Sequence, residues 1–385
     1  MDYRIGRETG RHDGGFAFSP GIFQAALLCA LACTAATPAL SEEMQWLGVS
    51  SDRKTFVLEK SGSTFVPWGF NYDHDEQGRL IEDYWDAEWP KVEEDFREMK
   101  QLGANVVRIH LQLGKFISKP DEPNQATLDR LGRLVTLAER SGLYLDLTGL
   151  GCYHKKDVPA WYDALDEQQR WDVQARFWEA VAGRCALSPA IFCYDLMNEP
   201  VAPGAKQKEG GWLVGPPFAG KQFVQFVTLD PQDRPRSKIA QQWVHRLAQA
   251  IRQQDRRHLI TVGLLPGIPD RADAWSGFDP QALVDDLDFI SVHVYPEKGQ
   301  VDQALKILSK FSVGRPVVIE ETFPLRCSTE ELAEFIDQSR KCASGWIGFY
   351  WGKTPEECRQ SKQLGDALTL GWLELFQQKA KTVGR

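Results

Sequence analysis

Two acidic residues close apolar runs in this sequence. Glu199 follows Ile191-Phe192-Cys193-Tyr194-Asp195-Leu196-Met197-Asn198 and precedes Pro200, and Glu321 ends Arg315-Pro316-Val317-Val318-Ile319-Glu320-Glu321. Both runs have the length and the β-branched or aromatic content of a buried strand. Pro200 stops further pairing, so each carboxylate is expected where its strand leaves a core. A pair of acids held this way suits the breaking of a glycosidic bond, in which one protonates the departing oxygen while the other attacks the anomeric carbon. Either acid alone reads equally well as a solvated loop glutamate. Along the second run side chains alternate between faces. We assign the inward place to Glu321, nearer the strand end, which turns Glu320 toward an outer layer where its charge needs a partner.

Four further residues end similar runs. His293 and Tyr295 lie two apart in Ile290-Ser291-Val292-His293-Val294-Tyr295 and share a face. A phenol can hold a carboxylate by a hydrogen bond, and an imidazole beside an acid can tune its proton. Arg108 closes Ala104-Asn105-Val106-Val107-Arg108, and a cation there needs an acid opposite it. Trp351, at the end of Gly348-Phe349-Tyr350-Trp351, offers a flat apolar face to a sugar ring, with core packing as its alternative.

These side chains need a scaffold that gathers strand ends. β-rich runs at 64–71, 104–111, 143–149, 191–197, 258–264, 287–295, 315–321 and 345–351 alternate with amphipathic stretches at 89–102, 124–141, 167–186, 238–253, 301–311 and 330–342. Strands separated by helices imply βαβ units and a parallel sheet, and eight of them imply an α/β fold closed into a (β/α)8 TIM barrel. An open doubly wound sheet would carry a glycine-rich turn after its first strand, which Phe70-Asn71-Tyr72-Asp73-His74 is not. In a barrel the fourth and seventh strands face each other, so Glu199 and Glu321 meet at the end where such folds keep their sites. Residues 54–60, followed by Ser61-Gly62-Ser63, predict an N-terminal β-hairpin that plugs the other end. The long connection 201–236, with Trp212, is expected to wall the substrate groove and to choose the substrate.

Composition narrows the partners. A net charge of -8 over 385 residues leaves no basic field for nucleic acid or an anionic membrane, and uncharged substrates fit better. Residues 1–41 carry Arg4, Arg7 and Arg11, an apolar stretch at 22–33 and small residues before Glu42, the layout of a secretory signal cleaved after Ser41. The mature chain, 42–385, is then one catalytic domain, secreted or periplasmic, with no membrane attachment. Two of the eight cysteines fall in the leader. The other six are widely spaced with no metal-binding pattern, and both disulfides and free thiols stay open. The chemistry requires no metal or organic cofactor.

Taken in order, Trp68-Gly69-Phe70-Asn71, Asn105-Val106-Val107-Arg108, Asn198-Glu199-Pro200, His293-Val294-Tyr295-Pro296, Arg315 to Glu321 and Phe349-Tyr350-Trp351 resemble glycoside hydrolase family 5 over nearly the whole mature chain. That retaining family includes cellulases and β-mannanases. The resemblance implies hydrolysis of β-linked glucan or mannan oligo- or polysaccharides. It also implies Glu199 as acid/base, Glu321 as nucleophile, Asn198 as ligand of the sugar 2-hydroxyl, and Arg108 and Tyr295 as supports of the nucleophile. His293 would serve the acid/base side, Trp351 would be the platform under the cleaved sugar, and Asn71 would be a supporting residue. Two departures stand out. Thr148 occupies a place where many members carry a histidine, with His154 following a little later, and Thr322-Phe323-Pro324 follows Glu321 where the family often has Phe-Gly. The nature of the sugar is therefore not carried over. A carbohydrate-binding barrel without turnover is the alternative, which the intact acid pair argues against. An isomerase or aldolase would need a phosphate loop, a Schiff-base lysine or a metal cluster, and the strand ends offer none.

Overall fold

Eight parallel strands pair in chain order and close on themselves: Trp68–Tyr72, Val106–Gln112, Tyr144–Gly151, Ile191–Asn198, Leu259–Leu264, Ile290–His293, Val317–Thr322 and Gly345–Gly348. The computed structural model describes residues 43–383 apart from 73, 74, 76, 208–210, 219, 268–275 and 350. The leader expected at 1–41 lies outside the described residues. The fold is the (β/α)8 barrel that the strand and helix alternation predicts.

Period-two alternation sorts the interior into layers. At the bottom Val106, Tyr144, Phe192, Leu259, Phe289, Val318 and Ile347 form an apolar cluster with Leu47, Phe56 and Phe65 of the N-terminal segment. Two residues further along the same strands come Arg108, Asp146, Thr261, Ser291 and Glu320, all buried and polar. Removing water from the lower half supplies the stabilisation that lets this charged layer exist above it.

The N-terminal segment is a three-stranded antiparallel sheet, not a simple hairpin. Phe56–Leu58 pairs with Thr64–Phe65 as expected, and Leu47–Val49 adds a third strand, with Leu47 opposite Leu58. The extra strand lets Leu47 join Phe56 and Phe65 in the plug.

Helices Trp89–Gln101, Gln125–Ser141, Glu167–Cys185, Arg236–Gln254, Val301–Ser309 and Thr329–Ser339 occupy the expected positions. Their ends follow local chemistry. The Asn124 side chain accepts from the Thr127 N–H, Asp166 and Gln169 form a reciprocal capping box, and Gly142 takes the left-handed turn after Ser141 at φ 62°. A further helix, Leu364–Val383, follows the last strand and lies outside the expected set. Its Phe376 stacks on Phe70 and Trp68 at 3.9 and 4.6 Å between ring centres, covering the outside of the first strand. Trp372 sits so close to Gly348 that a Cβ there would collide with its ring. The six cysteines of the described chain are free thiols. No helix of the described residues is long and apolar enough to cross a membrane.

Candidate active site

Arg108 is the hub of the barrel's upper half. One nitrogen of its buried guanidinium donates to Glu321 Oε1 and Asn71 Oδ1, both at 2.8 Å, and the other to Asp195 Oδ2 at 2.7 Å and Asn198 Oδ1 at 3.0 Å. A planar fork with several fixed donors is what guanidinium offers and an ammonium does not. Glu321 also accepts from the Tyr295 hydroxyl at 2.7 Å. On the facing side His293 Nδ1 lies 2.9 Å from Glu199 Oε1 and 3.4 Å from Glu321 Oε2. Glu199, His293 and Glu321 each place one polar atom within 4.8 Å of the others, so the two carboxylates converge at the mouth of the barrel.

Glu199 reaches this place through an unusual backbone. Its φ is +48°, a left-handed conformation that costs a non-glycine residue energy, and its N–H donates to the Gly263 carbonyl at 2.9 Å. The turn ends the fourth strand and swings the carboxylate over the barrel mouth.

The expectation that Glu320 faces the helical layer is wrong. Val292 pairs with Ile319 but the next residue, His293, pairs with Glu321, so the seventh strand carries one extra residue at Glu320. Such a bulge breaks alternation and lets two consecutive side chains point inward. Glu320 is fully buried in the lumen, accepting from Ser291 Oγ at 2.9 Å and lying 3.6 Å from both Arg108 Nη2 and His293 Nε2. Asp146 and Asp195 come within 4.8 Å of it.

This crowding shifts several groups. Burial alone would pull His293 down, but Glu321, Glu199 and Glu320 around it outweigh that and raise it to about 10. Burial works against an ionised Glu320 too, yet Arg108 and His293 bring it down to about 2. Asp146 is pushed well above the ordinary carboxylate range by burial and the negative charge of Glu320. Tyr295 is likewise held up by burial and by Glu321, so it is a proton donor throughout the neutral range.

Other expected site residues land differently. Asn198 is at the mouth, but both ends of its amide have protein partners, Arg108 at the oxygen and the Phe223 carbonyl at the nitrogen, 3.0 Å away in each case. Asn71 is a buried clamp that donates to the Glu320 carbonyl at 3.0 Å. His154 lines a small cavity with Leu80, Gln112 and Lys115, apart from the acids. The histidine that does reach the cluster is His110, two residues after Arg108 on the same face, with Nε2 3.1 Å from Asn71 Oδ1 and Nδ1 bonded to the Tyr153 hydroxyl. Its spacing from Arg108 was the available signal. Thr148 donates to Asp195 Oδ2 at 2.8 Å.

Trp351 does not form a platform. It is 1% exposed and packs against Phe70, because the chain turns outward after Gly348 and seats the indole in the outer core. Trp212 is also buried, beneath the Arg170 guanidinium at 4.1 Å, so it does not choose a substrate by contact. The cavity over Glu199 and Glu321, about 500 Å³, is walled instead by Val214, Phe218 and Phe223 of the long connection together with Phe323 and Phe349.

Comparison with known proteins settles the family. The family model Cellulase (glycosyl hydrolase family 5) matches residues 61–352. The chain belongs to glycosyl hydrolase family 5. This family 5 glycosidase is 26% identical over 188 residues to mannan endo-1,4-beta-mannosidase A of Podospora anserina, a match covering 44% of this chain and 42% of that relative. The match therefore spans less than half the length of the curated relative. Among solved structures it is similar to exo-beta-1,4-mannosidase Op5Man5 from Opitutaceae bacterium strain TAV5, with a TM-score of 0.63 and 17% identity over 86% of this chain and 62% of that one. It is also similar to the beta-mannanase of the blue mussel Mytilus edulis, with a TM-score of 0.58 and 18% identity over 88% of this chain and 97% of that one. At these identities the structural likeness is one of fold.

Proposed function

We propose that this glycosidase cleaves β-linked mannan or glucan chains with retention of configuration, Glu321 acting as nucleophile and Glu199 as acid/base. The observation that carries the reading is that one oxygen of each carboxylate lies within 4.8 Å of the other, the close approach that a double displacement needs between nucleophile and acid/base. In the first step Glu321 forms a bond to the anomeric carbon as the glycosidic C–O bond breaks and Glu199 gives its proton to the departing oxygen. In the second, Glu199 takes a proton from water, whose oxygen displaces Glu321 from the same carbon. Arg108 and Tyr295 fix the nucleophile's two oxygens, so it needs no reorganisation as its charge is used.

Mannan is the first substrate to try, because the three similar proteins named above carry mannosidase or mannanase in their names. Sugar release from β-mannans, β-glucans and short β-linked oligosaccharides, run beside Glu199→Gln and Glu321→Gln, tests the reading. Cleavage of at least one substrate with near-complete loss in both variants is expected. Binding of a glycan without turnover would leave the catalytic assignment wrong. Export follows from the arginines, apolar stretch and small residues of 1–41. We expect the exported protein's N-terminus near Glu42.

A further inference from the structure

Below Glu199 and Glu321 lies a second set of buried acids that the double displacement does not use: Asp146, Asp195 and Glu320, from the third, fourth and seventh strands. With the upper pair they make five carboxylates facing two cationic groups, Arg108 and His293. Glu199 carries the proton that the first step uses, and ionising the other four against two cationic groups, three of them fully buried, is too costly, so at least one of these also retains a proton. The donors present decide which. Burial and the charge of Glu320 raise Asp195, but it accepts from Arg108 at 2.7 Å, Thr148 at 2.8 Å and the Gly263 N–H at 2.7 Å, three donors that favour its ionised form. Glu320 accepts from Ser291 at 2.9 Å and faces Arg108 and His293. Asp146 has no N–H or hydroxyl donor, only the weakly donating Cys193 thiol and the Glu320 carboxylate beside it, so Asp146 is the acid that keeps a proton, directed at Glu320.

His293 is the link to the chemistry. Its Nε2 and Glu320 Oε2 have no hydrogen-bonding partner at ordinary distance and face each other at 3.6 Å. Its Nδ1 is 2.9 Å from Glu199 Oε1. Arg108, Glu320 and His293 converge on Gly263, where even a Cβ would come within 2.9 Å of His293 Nε2 and 3.1 Å of Glu320 Oε2.

We propose that Glu320 is a positioning residue that, beside a neutral Asp146, keeps His293 in its imidazolium form so that His293 only ever donates to Glu199. The consequence concerns where the catalytic proton goes. An imidazolium donating from Nδ1 occupies Oε1 of Glu199, so the acid's own proton is confined to Oε2 and delivered to the departing sugar oxygen. A neutral imidazole with a bare Nδ1 would accept that proton and divert it from the substrate. The groups facing His293 are Glu199, Glu321, Glu320, Arg108 and Tyr295. Those facing Glu320 are Arg108, His293, Asp146, Asp195 and the Cys193 thiol. The elevated titration point of His293, about 10, agrees with this arrangement.

The role of His293 toward the sugar rests on the glycosidase reading, but its protonation is measurable without a substrate. Nitrogen-15 NMR of histidine-labelled protein, with the His293 signals assigned by their loss in His293→Gln, should show both ring nitrogens protonated from about pH 5 to about pH 9. In Glu320→Gln the same signals should titrate at least about two units lower. The alkaline limb of kcat/KM should move down with them while KM changes little. Glu320→Asp should restore most of the wild-type titration. Asp146→Asn, which keeps a neutral group in place, should leave His293 protonated at neutral pH. If Glu320→Gln fails to fold, the native protein still decides: a neutral His293 at about pH 7 overturns the proposal. An unshifted His293 in a folded Glu320→Gln, or a deprotonated one in Asp146→Asn, overturns it too. Persistent imidazolium in a protein that cuts no glycan would sink the glycosidase reading and leave this one standing.

Discussion

Arg108 ties Glu321 and Asp195 together with the two arms of one guanidinium, at 2.8 and 2.7 Å. One residue thus links the proposed nucleophile to the buried acid of the fourth strand. Lysine cannot span both, since it offers a single point charge. Arg108→Lys should lower kcat/KM by at least about 100-fold and reduce stability by about 3 kcal/mol, because a buried acid loses its partner. Kinetics on a cleaved oligosaccharide and a thermal melt check both halves.

Tyr295 acts on Glu321 through one hydroxyl at 2.7 Å. Tyr295→Phe keeps the ring, so the expected loss is that of one hydrogen bond to a charged group, about 10- to 100-fold in kcat with KM nearly unchanged. A rise in KM with kcat intact would move Tyr295 from the nucleophile to sugar binding.

Gly263 leaves the space in which His293, Arg108 and Glu320 approach one another. Gly263→Ala places a methyl group 2.9 Å from His293 Nε2 and 3.0 Å from Arg108 Nη2. All three neighbours are buried and cannot swing away, so overpacking of about 1–3 kcal/mol is expected together with loss of activity. A melt and an activity assay of the same preparation read both effects.

Trp351 and Phe349 separate core from cavity. Trp351 is packed against Phe70 in the outer core, whereas Phe349 lines the space above Glu199 and Glu321. Trp351→Phe should lower the melting temperature and leave KM within about twofold; Phe349→Ala should raise KM with less effect on stability. The reverse pattern would return the platform role to Trp351.

Alkali should weaken the fold through His293. Its folded-state pKa of about 10 lies above the ordinary imidazole value of 6.5, so its stabilising contribution is complete below 6.5, declines as pH rises and is gone above about 10. The stability of the native protein should therefore fall over that window, and His293→Gln should flatten the fall. Denaturant melts across the range measure it.

The barrel is legible in the chain because its strands are short, apolar and spaced by amphipathic helices, each with ordinary caps. Glu199, Arg108, His293 and Tyr295 could be placed at the mouth because they end such strands. Glu320 could not, since one extra residue in the seventh strand lets Glu320 and Glu321 both point inward where alternation admits only one of them, and a bulge has no reliable sequence mark. Asp146 and Asp195 sit inside apolar runs where an isolated acid reads as an anomaly until Arg108 is seen beside them. Trp351 was misplaced for a related reason: the strand stops at Gly348, three residues before the tryptophan, so extended alternation no longer governs its direction. The C-terminal helix follows the eighth strand, so no later strand brackets it as the alternation brackets the other helices, although its Phe376 packs on Trp68 and Phe70.

The most direct test of the central claim is the configuration of the first sugar released from a β-1,4-linked manno-oligosaccharide, followed by proton NMR before mutarotation. Retention, with the β-anomer appearing first and none formed by Glu321→Gln, is the result that the short carboxylate separation predicts. Appearance of the α-anomer first would mean that water attacks directly, and would contradict Glu321 as the nucleophile.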